Sequence, residues 1–384
     1  MKALRSTLPA AALLALAACA DQSPVAARAT EAAPLLAAQA GGIDGQYIVV
    51  LNEGANPRSV AAIAGVSPRF VYTAALNGFS AALNAGQLNA LRHNPSVAYV
   101  EQDGRAETYT TQSPVTWGLD RIDQRNLPLS NSYTYTATAS TVYAHIIDTG
   151  IQANHPQFGT RAASAYDYAG GTGADCNGHG THVAGTIGST TYGVAKQVRL
   201  RGVRVMDCNG SGSFSQIIAG VDWVRLNRTN PAVANISLGG GLSSALNTAV
   251  TNLSSSGVFV AVAAGNSNAD ACNFSPASAP AVFTTASSES NDAKRTSSNW
   301  GTCVDGYAPG GSITSTWIGS ATNTISGSSM ASPHVAGVAA LYKATYGNAS
   351  SATIDSWIKT NATAGVITGN VTGTPNRLLY KAAL

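Results

Sequence analysis

The chain has 384 residues, of which 45% are apolar and only 11% are charged, and its formal net charge is +3. So large an apolar fraction in a chain of this length predicts a sizeable core in more than one folding unit. The 39 glycines and many small residues indicate short turns and close packing, which excludes a mainly disordered chain. The basic residues are scattered along the sequence, so we expect no nucleic-acid partner.

Residues 1–20 have the pattern of an export signal. A positively charged start precedes the apolar run Leu8–Ala18, which is too short for a comfortable membrane span. Its end fits either ordinary cleavage after a small residue or a bacterial lipoprotein box with Cys19 as the lipidated residue, and both alternatives stay open. The Ala- and Pro-rich residues 21–44 then predict a flexible linker.

Residues 45–109 predict a small α+β unit. Strands are expected at Tyr47–Leu51 and Val97–Glu101, with two apolar runs between Arg69 and Leu83 around an Asn-Gly turn signal. Short helices are expected at 59–64 and 87–93.

From Thr110 to Leu384, strand-like and helix-like runs alternate along the chain. The expected strands are 143–147, 201–205, 234–238, 258–263 and 281–285. The expected helices are 181–187, 215–225, 243–255 and 332–346. This alternation predicts an α/β fold, with a mostly parallel central sheet flanked by helices on both faces. Sites in such sheets form at the carboxyl ends of strands, and Asp148 ends the first of them.

Ser329 lies where small residues lead into an apolar segment, which is a pattern typical of a helix entrance. The free N–H groups of a first turn suit a nucleophile whose reaction creates an oxyanion. An ordinary N-cap serine is the alternative. A nucleophile needs a base and an orienting acid, which His179 in a Gly-rich turn and Asp148 can provide.

The order Asp148, His179, Ser329 and the motifs around these residues resemble the subtilisin-like serine peptidases. The resemblance covers nearly the whole of 110–384 and is closest to the proteinase K and aqualysin branch. The matching motifs are Trp117–Gln124, Asn209–Gly212, Ser237–Gly240, Ala263–Asn266 and Ser275–Ala277.

This resemblance implies a secreted endopeptidase that cleaves proteins and peptides through an acyl-enzyme and acts as a monomer. Residues 45–109 would be its chaperone and inhibitory propeptide, whose tail Glu107–Tyr109 lies in the active site as a product. Self-cleavage is expected near Tyr109–Thr110. Before that cut, a lipid on Cys19 would anchor the precursor to the membrane.

The resemblance also implies the roles of individual residues. Ser329 attacks the peptide carbonyl, His179 takes its proton, and Asp148 orients and stabilises the charged imidazole. Asn266 donates its side-chain amide to the oxyanion beside the backbone N–H of Ser329. His182 and His334 are expected to be structural, because the first histidine of the matched motif His-Gly-Thr-His, His179, is the base. Zinc is the alternative for His179 and His182, but no spaced carboxylate or cysteine completes such a site.

Substrate is expected to bind as an added strand, because glycine-rich backbone offers hydrogen bonds without bulk. The residues expected to contact it are Gly210, Ser211, Gly212, Ser237, Leu238, Gly239, Ala263, Ala264 and Gly265. The last six would line the main pocket, whose small uncharged walls imply a preference for apolar and aromatic side chains.

Four cysteines remain in the exported domain, so disulfides are expected and free thiols are the alternative. Three pairings are possible, and the resemblance implies Cys176–Cys208 and Cys272–Cys303. It also implies structural calcium, held by Asp305 with the carbonyls of Pro280 and Val282. A second site would use Asp120, Asp123 and Gln124, and solvated acids in loops are the alternative at both. No catalytic cofactor is expected.

Two other classes of function fit less well. An α/β-hydrolase esterase would carry Gly-x-Ser-x-Gly and the order Ser, acid, His, and neither is found in the sequence. A non-catalytic binding protein on this fold would usually have lost one of the four residues proposed for catalysis, and all four are present. The sequence therefore favours a self-processed serine endopeptidase.

Overall fold

A computed structural model describes residues 31–37, 42–104 and 110–384. The chain divides into two compact units between Arg105 and Ala106. The expected export signal with Cys19, most of the linker and the tail Glu107–Tyr109 lie outside the described residues. Within the described part, no helix is both long enough and apolar enough to cross a membrane.

The first unit is a five-stranded sheet with two helices, in the strand order β1-β5-β2-β4-β3. Its strands are β1 (Leu35–Leu36), β2 (Gly42–Leu51), β3 (Phe70–Tyr72), β4 (Gly78–Ala82) and β5 (Val97–Gly104). Its helices are α1 (Pro57–Ile63) and α2 (Ala85–Arg92). Val49, Phe79 and Leu91 are fully buried in its core. The expected α+β unit is confirmed, with the addition of the short edge strand β1.

The second unit contains six helices among its described residues. They are α3 (Trp117–Asp123), α4 (His179–Gly188), α5 (Phe214–Asn227), α6 (Ser244–Ser255), α7 (Ser328–Tyr346) and α8 (Ser351–Asn361). The strands outside the central sheet are β6 (Thr110–Gln112), β7 (Tyr133–Tyr135), β12 (Gly240–Gly241), β14 (Phe274–Ser275), β17 (Ile313–Trp317) and β18 (Ala321–Ile325).

A nine-stranded sheet forms the centre of this unit. Its strands are β8 (Tyr143–Asp148), β9 (Ala162–Asp167), β10 (Arg199–Arg204), β11 (Ala232–Ile236), β13 (Phe259–Ala263), β15 (Phe283–Ser288), β16 (Gly306–Pro309), β19 (Thr363–Ala364) and β20 (Arg377–Leu378). The order is β19-β20-β16-β15-β13-β11-β8-β10-β9. Every neighbouring pair is parallel except β19 and β20.

Helices cover both faces of this sheet. Successive strand residues point to opposite faces, so Ile146 and Ile147 of β8 belong to different cores. Ile146 lies in the cluster that includes Val183 of α4 and Val335 of α7. Ile147 lies in the other cluster, which contains apolar residues of α5 and α6. The expected α/β sheet with helices on both faces is confirmed.

The sheet order brings three strand ends together. Strands β8, β11 and β13 are neighbours and parallel, so their carboxyl ends lie along one edge. Asp148 is the last residue of β8, Ser237 follows β11, and Asn266 follows β13 by three residues. The first turn of α7, which carries Ser329, is hydrogen-bonded to this edge.

Candidate active site

Asp148 and His179 form a close pair at this edge of the sheet. The Nδ1 of His179 lies 2.7 Å from Oδ1 of Asp148, and Asp148 is 1% exposed. Burial disfavours the charged imidazole, but the negative charge of Asp148, its hydrogen bond and the charge of Asp175 outweigh it and raise the pKa of His179 above its ordinary value. The ring is therefore a better proton acceptor than a free histidine.

The turn before His179 holds the imidazole in place. Gly178 caps α4 with a left-handed φ of +107°, and a Cβ there would overlap the ring of Trp317. The Nδ2 of Asn177 donates to the carbonyl of Cys208 at 3.1 Å, beside the disulfide that joins Cys176 to Cys208. The turn that carries His179 is thus packed against Trp317 and bonded to the loop that contains Cys208.

Asp175 is a part of this turn that was not expected from the sequence. Its Oδ1 accepts hydrogen bonds from the N–H of Gly178 and the hydroxyl of Thr149, both at 2.9 Å. Its Oδ2 accepts from the N–H of Thr181 at 2.9 Å. The Oγ1 of Thr149 in turn accepts from the N–H of Gly180 at 2.9 Å. Asp175 therefore ties the residue after Asp148 to the helix start that carries His179. In the sequence, the signal that could have identified Asp175 is its position just before a Gly-rich helix start.

Ser329 lies in the first turn of α7 and exchanges two hydrogen bonds with Ser237. The hydroxyl of Ser329 donates to the carbonyl of Ser237 at 3.0 Å. The hydroxyl of Ser237 donates to the carbonyl of Ser329 at 2.8 Å. One turn further on, the hydroxyl of Ser332 donates to Oδ1 of Asn235 at 2.6 Å. These bonds fasten the start of α7 to the end of β11.

Asn266 is oriented by the same helix start. Its Oδ1 accepts the N–H of Ser328 at 2.8 Å, so the amide Nδ2 is the end left to face the cavity. The Oγ of Ser328 accepts the N–H of Gly265 at 3.0 Å, which explains what the hydroxyl at this position does. Gly327 permits the close approach, because a Cβ there would lie 3.3 Å from the amide of Asn266.

A cavity of about 330 Å³ lies beside Ser329 and Asn266. Six expected pocket residues line it: Ser237, Leu238, Gly239, Ala263, Ala264 and Gly265. Phe274 and Ser275 also line it, placed there by the pairing of β14 with β12, and were not expected as pocket residues. None of the lining residues is charged. Gly210, Ser211 and Gly212 do not line this cavity. They form an exposed loop in which Asp207 accepts the N–H of Ser211 at 2.9 Å.

The structure contains both disulfides that the resemblance implies, Cys176–Cys208 and Cys272–Cys303. The two histidines expected to be structural are buried. The ring of His182 is bonded to the carbonyl of Ile313 at 3.0 Å, and that of His334 to the carbonyl of Met330 at 2.9 Å.

The residues expected to bind calcium are arranged differently from a metal site. The ammonium of Lys359 lies 2.7 Å from Oδ1 of Asp305, and that of Lys381 lies 3.0 Å from Oδ1 of Asp123. Calcium requires six to eight oxygen ligands and excludes a cation from its shell. The described residues also contain no cluster of three or more His, Cys, Asp or Glu side chains suited to a metal. In this arrangement neither donor set fits calcium.

Two family models match this chain. The Subtilase family matches residues 140–378, and the Peptidase inhibitor I9 family matches residues 46–109. The extracellular serine proteinase of Thermus sp. (strain Rt41A) is 49% identical to this chain, over 96% of this chain and 97% of its own. Proteinase R of Parengyodontium album is 44% identical, over 91% of this chain and 92% of its own.

A crystal structure of a cold adapted subtilisin-like serine proteinase is 51% identical and has a TM-score of 0.69, covering 71% of this chain and 100% of that one. The family match spans more than half of the chain, and the relatives are aligned over almost their full length. The chain therefore belongs to the subtilase family of serine proteases and carries an I9 inhibitor segment before its protease domain.

Proposed function

We propose that this protein is a secreted serine endopeptidase in which Asp148, His179 and Ser329 form the catalytic triad. The observation that carries the proposal is the 2.7 Å pair between His179 and a buried carboxylate, at the sheet edge to which the first turn of α7 is fastened. The raised pKa of His179 supports its role as general base.

The chemistry follows from the two ends of the imidazole. The hydroxyl of Ser329 turns from the carbonyl of Ser237 towards Nε2 of His179, which takes its proton as Oγ bonds to the substrate carbonyl carbon. The imidazolium then protonates the leaving amine as the C–N bond breaks, leaving an acyl-enzyme. Water, deprotonated by the same nitrogen, releases the acid and restores Ser329. Asp148 holds Nδ1–H throughout and stabilises the charged ring.

The tetrahedral intermediate carries its negative charge on the former carbonyl oxygen. The Nδ2 of Asn266 and the backbone N–H of Ser329 are the donors we assign to it. The orientation of Asn266 supports this, because its Oδ1 is held by Ser328 and its N–H₂ is left for the oxyanion. The amino end of α7 adds the favourable end of a helix dipole.

The uncharged cavity beside Ser329 supports a preference for apolar and aromatic side chains before the cut. Its volume of about 330 Å³ and its small walls leave room for a large ring. The exposed backbone of Gly210–Gly212 and of Ser237–Gly239 is where we place the extended substrate. Peptide substrates that differ only in the residue before the cut test this, and equal rates for Phe and Glu would contradict it.

Residues 1–20 are proposed as an export signal, 21–44 as a linker, 45–109 as the inhibitory propeptide and 110–384 as the protease domain. The match of the I9 family to 46–109 supports the propeptide, and the extracellular relative supports export. The proposed cut near Tyr109–Thr110 is read by N-terminal sequencing. Intact mass separates a lipid on Cys19 from ordinary cleavage.

Labelling of the nucleophile tests the proposed function directly. A fluorophosphonate probe should label the folded protein, and peptide mapping should find the label on Ser329. Ser329→Ala should lose the label and casein hydrolysis together, whereas Ser326→Ala, an exposed serine three residues earlier, should keep both. Labelling without casein hydrolysis but with hydrolysis of short esters would favour an esterase, and absence of labelling would favour a binding protein.

A further inference from the structure

A lysine ammonium occupies each of the two places where the resemblance implies calcium. At the first, Nζ of Lys359 lies 2.7 Å from Oδ1 of Asp305 and 2.8 Å from Oδ2 of Asp355. Lys359 and Asp355 both belong to α8, whereas Asp305 lies immediately before β16. The ammonium therefore joins α8 to the residue that precedes β16.

Two further oxygens of the first site already accept a hydrogen bond. Oδ2 of Asp305 accepts the N–H of Thr284 at 2.7 Å. The carbonyl of Pro280 accepts the hydroxyl of Thr251 at 2.9 Å. A calcium ion at Asp305 would have to displace the ammonium of Lys359, whereas an oxygen that accepts one hydrogen bond keeps a lone pair for a ligand bond.

The second site repeats the arrangement with different residues. Nζ of Lys381 lies 3.0 Å from Oδ1 of Asp123 and also donates to the carbonyl of Leu384 at 2.8 Å. Lys381 is only 3% exposed. Oδ2 of Asp123 accepts the N–H of Thr134 at 2.7 Å.

The other two expected ligands of this site are engaged as well. Oδ1 of Asp120 accepts the hydroxyl of Ser130 at 2.9 Å, and its Oδ2 accepts the N–H of Asn131 at 2.5 Å. The Oε1 of Gln124 accepts the N–H of Ser130 at 3.0 Å. The carboxylates and the amide oxygen thus have protein partners throughout.

We propose that Lys359 and Lys381 supply the positive charge that calcium would supply at these two places, so that the fold holds these carboxylates without a metal ion. A compact ammonium with three donors can satisfy a carboxylate and backbone carbonyls together. Because the lysine is tethered to the chain, its pairing does not depend on the concentration of a free ion, whereas that of a bound metal does.

Melting of the full-length Ser329→Ala protein in chelator and in millimolar calcium tests this without relying on activity. The unaltered sites should give the same Tm in both. Lys359→Met keeps the apolar stem but frees Asp305 and Asp355, so its Tm should fall in chelator and recover in calcium, by roughly 5 °C for a domain of this size. The Tm of Lys381→Met in chelator should likewise be lower than that of the parent. Lys294→Met is the matched control, because its ammonium contacts Asn268 and carbonyls but no carboxylate.

Asp305→Asn and Asp123→Asn locate any calcium effect. If the Tm of the parent protein falls in chelator, and one of the two Asp→Asn changes abolishes that fall, the proposal is wrong at the site of that change. If the fall in Tm persists in both Asp→Asn variants, the calcium ion binds elsewhere in the protein. The lysine variants then test the proposal. The proposal stands if Lys359→Met still melts lower than the parent in chelator, and it fails if the two melt together.

Discussion

His145 lies in the middle of the central sheet without a hydrogen-bond partner. It belongs to β8, is 2% exposed, and neither of its ring nitrogens is bonded within the described structure. Arg201 of the neighbouring strand β10 is its register partner. Burial first, and then the charges of Arg201 and Arg228, lower the pKa of His145 to about 4. The ring is therefore neutral in the folded protein at neutral pH.

The lowered pKa makes His145 a source of acid instability. Between pH 6.5 and about 4, the unfolded chain binds a proton at this position that the folded chain does not. The stability that the protein gains from a neutral His145 is fully present above pH 6.5. It falls as the pH falls through this window and is lost below about pH 4. The gap corresponds to about 3 kcal/mol.

His145→Leu removes the proton site and the two unpaired nitrogens while it keeps a comparable volume. We expect its free energy of unfolding at pH 8 to equal or exceed that of the parent, because an unpaired buried polar group costs about 1–3 kcal/mol. Between pH 6.5 and 4 its free energy of unfolding should decline less steeply with falling pH than that of the parent. The difference in slope should correspond to the uptake of about one proton on unfolding. Guanidinium chloride unfolding in the Ser329→Ala background measures this. All five tryptophans lie in the second unit, so their fluorescence reports on that unit alone.

His155→Leu is the matched control. His155 is equally buried, but its ring is bonded to the carbonyl of Ala321 at 3.1 Å and to the N–H of Gln157 at 3.2 Å. Its replacement should therefore cost stability at every pH. If His145→Leu declined with pH as steeply as the parent, the reasoning on His145 would be wrong.

Three further predictions concern the catalytic site and its support. Because the pKa of His179 is raised, kcat/KM should fall on the acid side at a pH above 6.5. Asp175→Asn removes a negative charge near the ring, so it should move this fall to lower pH and reduce kcat. A pH profile with a peptide substrate measures this, and an unchanged profile would show that the charge of Asp175 does not act on His179. Asn266→Asp keeps the acceptor for the N–H of Ser328 but removes the donor for the oxyanion. We expect kcat to fall by about 10²–10³-fold with little change in KM, as for such donors in related enzymes. A rise in KM of that size with kcat unchanged would assign Asn266 to substrate binding instead. Replacing Cys176 and Cys208 together by serine opens a loop with a sequence separation of 32 and should lower stability by roughly 3–4 kcal/mol, and unchanged denaturant unfolding would contradict that.

The strands that build the active-site edge were predictable because they are fully buried. A strand covered on both faces is a nearly continuous apolar run, as in Phe259–Ala263 and, apart from Asn235, in Ala232–Ile236, and such runs stand out in the sequence. Strand β9 was missed because Ala162–Asp167 is only half-buried and mixes small and polar residues. The hairpin of β17 and β18 was missed because its alternation is dominated by Thr and Ser.

The start of α7 shows how local signals misplace a boundary. The helix was expected to begin at Ser332 but begins at Ser328, so Ser329 lies inside its first turn. Pro333 lies near this entrance, and a proline is locally a signal for a helix boundary. The earlier start is fixed by two hydrogen bonds: Ser328 accepts the N–H of Gly265, which follows β13, and Ser329 donates to the carbonyl of Ser237, which follows β11.

Asp175 and the two lysines could not be found from local pattern. Asp175 acts through Thr149, which lies on another element, and no periodicity links the two. Lys359 and Asp305 are distant in sequence and meet only because α8 packs beside the end of the sheet. The positions of Asp148, His179 and Ser329 at a strand end and at helix starts were predictable, because their neighbours in sequence carry the turn and helix signals.

The central claim is that Ser329 and His179 cut the chain's own precursor, and intact mass spectrometry tests it most directly. The full-length parent and Ser329→Ala are produced side by side with their export signal. We expect the parent to lose the segment before about Thr110 and the variant to retain residues 45–109. Two proteins that both fold and both remain whole, or that are both cut at the same bond, would contradict it.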